Sequence, residues 1–373
     1  MPAFALYRLP YQHNCHLILQ TSGQPVELPS VFALSGRQGF VIAPFTPDDS
    51  HPVLLLNSDV SAETVPEVWL PDGDVKYADL RAQVEQILDD AQQRQSVKSG
   101  SKTHYMIDFA NFHSQIATGH FSKIVLARCC HLPNLGGKSP LALFVKACQL
   151  YPRLMVALVA APRCGAWLVA SPEVLLDSDG SFWRTMSLAG TMRLSEDQLS
   201  VDEPPSPMSH GDDNEKITWS IKNIQEQRFV STYITESLEQ VATDIEEYGP
   251  YTMRAGNLVH LRSDFHFTIS DTRRLGELLY VLYPTPAVCG LPKDAARDFI
   301  RKNEFAPREY YSGFMGMLNP EAETQLYVSL RCMRINRDGF SLYAGGGLLP
   351  DSNLETEWAE TEDKMDTMRV LIE

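Results

Sequence analysis

The chain opens with short apolar runs separated by turn residues. FALSGRQGFVIAPF, PVLLLNSDV and PEVWLP predict mixed short strands and turns over 1–90. ADLRAQVEQILDDAQQ then spaces its apolar residues as a helix does. The stretch 92–104, QQRQSVKSGSKTH, is small and polar and reads as a linker. From Tyr105 the pattern strengthens. YMIDFANFHSQIATG predicts a helix, SKIVLARCCHL a strand and LALFVKACQLYP a second helix. MVALVAAP, AWLVASPEVLLDS and FWRTMSLAGTMRL predict successive strands. A long helix is expected over NEKITWSIKNIQEQRFVSTYITESLEQV, with an apolar stripe of Ile217, Ile221, Ile224, Ile234, Leu238 and Val241. NLVHLRSDFHFTI, LYVSLRCMRI and GFSLYAGG predict three more strands, and ETEWAETEDKMDTMRVLI a final helix. Many strands with few regular βαβ alternations favour a large, antiparallel-rich α+β fold.

One segment breaks this pattern. SEDQLSVDEPPSPMSHGDD, 195–213, holds four acids in its first nine residues, three prolines and no Lys or Arg. It can bury little and is expected to be a loop. Across the 373 residues, 47 acids against 32 Lys and Arg give a formal charge of −15. That field disfavours nucleic acid and anionic membranes. No apolar stretch is long enough to span a bilayer, and MPAFALYRLPYQHN lacks the pattern of a signal peptide. The seven cysteines are scattered and form no CxxC. A cytoplasmic protein with reduced thiols is expected.

Several residues could carry chemistry. Lys123 shares a strand face with Val125 and Ala127. An amine desolvated there can act as a general base; a strand-end lysine can also snorkel to water. Glu173 lies between apolar runs, where a carboxyl stays protonated and can act as a general acid; it can equally be a turn glutamate. Glu226 points off the apolar stripe of the long helix, where it could pair with Lys222. Glu357, Glu360 and Lys364 share one face of the last helix. Carboxylates from two helices could hold Mg²⁺, or form a solvated acidic face. Arg331 on an apolar strand needs a partner, and a carboxylate is the natural one. His260 is a core histidine or a substrate contact. There is no GxSxG, and no paired Cys or His to hold zinc.

SKIVLAR, SPEVLL, SLAGTMR, KNIQEQ, LVHL, LYPTPAVCGLP, APREYYSGFMG, SLRCMRI and AGGGLLPDSNLETEWAETEDK occur in one order. Together they resemble the chorismate-utilising enzymes over roughly 105–373, and most closely the isochorismate synthases. The resemblance implies a large single-domain α+β fold, like that of anthranilate synthase component I. Antiparallel sheets would pack face to face with flanking helices, and residues 1–104 would belong to the same body as the catalytic region 105–373. It implies Lys123 as the base for water attack at C2 and Glu173 as the acid for the departing C4 hydroxyl. It implies Mg²⁺ on Glu226 and Glu360, with Glu357 acting through water. Tyr311 and Arg331 would bind the enolpyruvyl carboxylate, and Gly190, Thr191, His260, Gly345 and Lys364 match other pocket positions. The expected enzyme is a cytoplasmic monomer with no obligate protein partner, converting chorismate to isochorismate for menaquinone or a siderophore.

Three positions choose among reactions in that family. A lysine at 123 favours water over ammonia as nucleophile. Ala189 replaces the nucleophilic lysine of aminodeoxychorismate synthases. Ala287, in PTPAV, stands where salicylate and anthranilate synthases carry threonine. Salicylate synthase and an ammonia-using synthase component are the alternatives, with a non-catalytic homologue behind them. Asn223, Gln227 and Cys289 depart from the family pattern.

Overall fold

The computed structural model describes residues 2–92, 99–193, 217–255 and 258–373. The acidic segment 195–213 and part of the expected linker, 93–98, lie outside them. In chain order the structure has β1 (Ala3–Arg8), β2 (Cys15–Gln20), β3 (Val26–Leu28), β4 (Gly39–Ala43), β5 (Val53–Leu56), β6 (Val60–Thr64), α1 (Ala78–Ala91) and α2 (Lys102–Ala117). Next come β7 (Lys123–Pro133), α3 (Pro140–Leu150), β8 (Met155–Ala161), β9 (Gly165–Ser171), β10 (Val174–Ser178), β11 (Trp183–Arg193) and α4 (Ile221–Leu238). The remainder is β12 (Thr243–Ala255), β13 (Leu258–Thr268), α5 (Leu275–Leu282), β14 (Gly290–Leu291), α6 (Lys293–Asn303), β15 (Phe314–Leu318), β16 (Thr324–Val328), β17 (Cys332–Asn336), β18 (Gly339–Leu348) and α7 (Leu354–Ile372).

The strands form two nine-stranded antiparallel sheets. The first runs β14-β7-β18-β17-β9-β8-β1-β2-β6, and the second β12-β13-β11-β10-β16-β15-β4-β5-β3. This is the α+β architecture that the strand-rich pattern predicts. The apolar runs are continuous because the central strands are buried on both faces. In β8, Met155, Ala157 and Val159 face the layer between the sheets, while Val156, Leu158 and Ala160 pack under the helices outside. β4 divides the same way, Phe40 and Ile42 inward, Val41 and Ala43 outward. α1, α3 and α7 cover the outer face of the first sheet, and α4 and α5 that of the second.

The N-terminal strands are woven into both sheets. β1 pairs with β8, and β4 with β15. The end of the expected linker is already helix: Ser101 caps α2, accepting from the His104 backbone N–H.

The structure corrects two readings. AWLVASPEVLLDS and LYVSLRCMRI are each two strands in different sheets, with Glu173 and Arg331 at the crossovers. Arg331 is therefore not on a strand, and its φ of +46° is uncommon for a non-glycine residue. The expected stripe of the long helix is also wrong at its start. Ile221 is 75% exposed, and the buried face runs through Glu226, Val230, Ile234 and Leu238. Sequence periodicity did not find β12, α5 or α6.

Trp167 fills the layer between the sheets, stacked near Tyr343, with its indole N–H donating to the Cys164 carbonyl at 2.9 Å. Trp167→Ala is expected to cost about 3–5 kcal/mol. Urea unfolding checks this: the midpoint should fall with little change in slope.

Candidate active site

The chain crosses between the sheets repeatedly, and a cleft lies where these crossovers gather. Strand register places Lys123, Gly345, Arg331 and Ser171 at the same end of the first sheet. The cleft spans about 610 Å³, part of it open to solvent. Glu173, Gly190, Thr191, Glu226, His260, Ala287, Tyr311, Arg331, Gly345 and Lys364 all line it. Lys123, Glu357 and Glu360 do not; they stand behind its wall.

Lys123 begins β7, points into the inter-sheet layer and is 0% exposed, so the snorkelling reading fails. Its ammonium lies 3.0 Å from Oε1 of Glu226. Glu226 is brought inward by α4, whose N-terminus is capped by Ser220 accepting from the Asn223 N–H. Its other oxygen accepts from the Gly190 N–H at 3.2 Å. Gly190 sits at a bulge in β11 with φ +70°, and a Cβ there would come within 3.1 Å of Asn223. Burial alone would raise the Glu226 pKa, but Lys123, Lys364 and Lys222 hold it below the ordinary value. The expected pairing of Glu226 with Lys222 is not made.

Lys222 instead donates to Oε1 of Glu357 on α7. Glu357 falls on the buried face of that helix with Thr361 and Met365, and is 0% exposed. Burial and then the nearby Glu360 raise its pKa, against the pull of Lys222. Among the described residues its Oε2 has no well-aligned hydrogen bond, although the Ser352 hydroxyl also acts on the carboxylate. Glu360 accepts from Lys364 at 2.7 Å, and Lys364 also donates to the Gly345 carbonyl at 2.9 Å.

Two glycines of β18, Gly346 and Gly347, make room for these groups. A Cβ on Gly346 would stand 3.2 Å from Oε2 of Glu357 and 3.6 Å from Oε1 of Glu360. A Cβ on Gly347 would collide with the Glu226 carboxylate and come within 2.7 Å of Cε of Lys123. Among the described residues, no three Asp, Glu, His or Cys side chains stand as a ready metal-ligand set. Each of the three glutamates is engaged by a lysine. The donor set still suits a hard cation: carboxylate oxygens from two helices over a glycine cradle, one of them buried without a well-aligned hydrogen bond.

Glu173 is fully buried beside the Ser171–Pro172 turn. Burial pushes its pKa up to about 8, although Lys123, the nearby Thr285 hydroxyl and Lys364 pull the other way. It is a neutral carboxylic acid at pH 7. Arg331 donates to Nε2 of His260 at 2.7 Å and to Thr367 at 3.2 Å. The expected carboxylate partner is absent among the described residues, and burial lowers its pKa to about 10. Burial, with Arg331 and Lys364 beside it, keeps His260 neutral. Accepting from Arg331 leaves its proton on Nδ1, which donates to the Gly190 carbonyl at 3.1 Å. His260 therefore positions Arg331 and the β11 bulge. Tyr311 stacks on Tyr343 at 5.4 Å, and burial raises its phenol pKa.

The departures from the family pattern lie off the cleft. Gln227 turns toward β11 and donates to Ser187 at 2.7 Å. Burial pushes the Cys289 thiol up to about 12, so it is unreactive. The sequence reading missed Gly346, Gly347 and Tyr343. Three consecutive glycines inside a strand were the available signal, since such glycines mark a close approach.

A family profile described as "Chorismate binding enzyme" matches residues 45–373. Isochorismate synthase MenF of Escherichia coli is 30% identical over 258 residues, covering 69% of this chain and 57% of that protein. The chain thus spans little more than half the length of this curated relative. The solved structure of the menaquinone-specific isochorismate synthase MenF from Escherichia coli superposes with a TM-score of 0.74, at 21% identity, over 100% of this chain and 89% of that one. Anthranilate synthase component I from Streptococcus pneumoniae gives 0.64 at 15% identity, over 99% and 90%. These likenesses fix the fold.

The Glu173 assignment can be checked directly. Infrared difference spectra of wild type against Glu173→Gln should show a protonated-carboxyl band at pH 7 that disappears as pH rises through about 8. The folded pKa lies above the ordinary 4.5, so stability is lost as pH climbs between those values. Glu173→Gln should flatten that part of the stability profile.

Proposed function

Because the chain belongs to the chorismate-binding enzyme family, we propose that it is a magnesium-dependent isochorismate synthase. One observation carries the reading: Glu173, a carboxyl in the cleft lining whose protonated form burial favours, lies close enough to feel the charge of Lys123, a lysine buried directly behind that wall. An amine and a neutral acid are the pair needed to add one hydroxyl while expelling another.

Lys123 takes a proton from water as its oxygen bonds to C2 of chorismate. The ring double bonds shift, the C4–O bond breaks, and Glu173 gives its proton to the departing hydroxyl. Lys123 ends as ammonium and Glu173 as carboxylate, and a proton returned from one to the other resets the site. Arg331, with no carboxylate of its own, binds the enolpyruvyl carboxylate beside Tyr311. His260 and Lys364 fix Arg331 and the Gly345 backbone. Glu226, Glu360 and Glu357 would hold Mg²⁺, which would supply positive charge for the ring carboxylate. Ala287 adds only a methyl group to the wall, which suits a site that stops at isochorismate. The same reading has a cytoplasmic monomer that needs no protein partner and serves menaquinone biosynthesis, as the likeness to MenF suggests.

Chromatography after incubation with chorismate and Mg²⁺ should show isochorismate. Salicylate with pyruvate, or anthranilate formed with ammonium, would replace this assignment. Lys123→Ala and Glu173→Gln should each lower kcat by about 10²–10⁴-fold while thermal unfolding stays cooperative. A near-normal rate for Lys123→Ala removes the base role. Glu360→Ala should raise the Mg²⁺ concentration needed for half-maximal rate by about tenfold or more.

A further inference from the structure

We propose that Lys222 is a built-in counter-ion that competes with the divalent cation for Glu357, and so holds metal binding weak. This rests on the metal site proposed above. Three lysines face three glutamates here: Lys123 with Glu226, Lys222 with Glu357, and Lys364 with Glu360. As paired, the set carries no net charge. A divalent cation entering it adds two positive charges and must take carboxylate oxygens from ammonium groups.

Lys222 is the member able to yield. Lys123 is sealed in, with its side chain 0% exposed, and Lys364 is also held by the Gly345 carbonyl. The Lys222 side chain is 23% exposed and can withdraw to water. Its partner is unusual for a structural ion pair. Glu357 is completely buried, yet only Oε1 meets the ammonium; the Ser352 hydroxyl also acts on this carboxylate, but Oε2 has no well-aligned hydrogen bond among the described residues. That oxygen faces Gly346, toward which Glu360 also turns. A pair serving stability alone would satisfy both oxygens, because an unpartnered buried charge is costly. Lys222 also lies one helical turn before Glu226, so its charge acts on all three carboxylates.

The test is metal binding without substrate, on the full-length protein. Calorimetry with Mg²⁺, or paramagnetic resonance with Mn²⁺, is run at low ionic strength. Lys222→Gln should bind roughly tenfold more tightly than wild type, and Lys222→Arg, which keeps the charge, within about twofold of it. Unchanged or weaker binding by Lys222→Gln overturns the proposal. Glu360→Ala separates this from the underlying reading: if that variant binds metal as wild type does, the metal site itself is misassigned. A second measurement needs no variant. With Mg²⁺ present, an amine-reactive reagent should label Lys222 severalfold faster, while exposed Lys102 stays constant. Constant Lys222 labelling at saturating metal overturns the competition.

Discussion

The structure turns on keeping charges dry. Lys123, Glu226, Lys222, Glu357, Lys364 and Glu360 gather where two sheets and two helices meet, mostly out of water. Removing such groups from water costs more than any one contact returns, and apolar residues of similar size would often be as stable. The arrangement survives because each charge has an opposite partner, and because β18 gives up two side chains, at Gly346 and Gly347, to make space. A fold selected only for stability has no use for it. That is the physical reason to read this cluster as chemistry.

Topology delivers the rest. Strands buried on both faces offer little room for polar side chains in the layer between the sheets, Lys123 on β7 and Arg334 on β17 being exceptions. Polar groups reach that layer where the chain leaves one sheet for the other. Glu173 sits between β9 and β10, Arg331 between β16 and β17, Thr285 and Ala287 before β14, and Tyr311 before β15. The left-handed backbone of Arg331 marks one such crossing, where surrounding structure holds a conformation a free residue avoids. The crossovers that join the layers are thus also what equips the cleft.

This explains what could be read from the chain beforehand. The apolar runs of β8 and β9 announced strands, and the ordered motifs announced the family. Most residues named from those motifs do line one cleft. Spacing misled at crossovers: SPE and SLR each looked like part of a strand, because a passage of two or three residues between sheets leaves no gap in the hydrophobic pattern. It also misled on α4, where Ile221 and Ile224 are exposed while Glu226 is buried. A carboxylate can occupy an inner face only if cations wait there, and those cations come from β7 and α7, far along the chain. The partner of Lys222 was likewise invisible, since Glu357 lies 135 residues away.

The formal charge of −15 acquires a location from this. Residues 195–213 and 351–366 each carry a net −6, leaving −3 for everything else. The second segment contains Glu357 and Glu360, whose charges lysines already balance. Glu173 adds none, because burial keeps it neutral below about pH 8. Were it ionised, the cleft would hold one more negative charge than its lysines offset, facing a substrate proposed to be a dianion. Arg331 remains as positive charge without a carboxylate partner among the described residues. An acidic protein can thus present an anion with a neutral-to-positive pocket, and the burial that makes Glu173 an acid is the same burial that lets the substrate in.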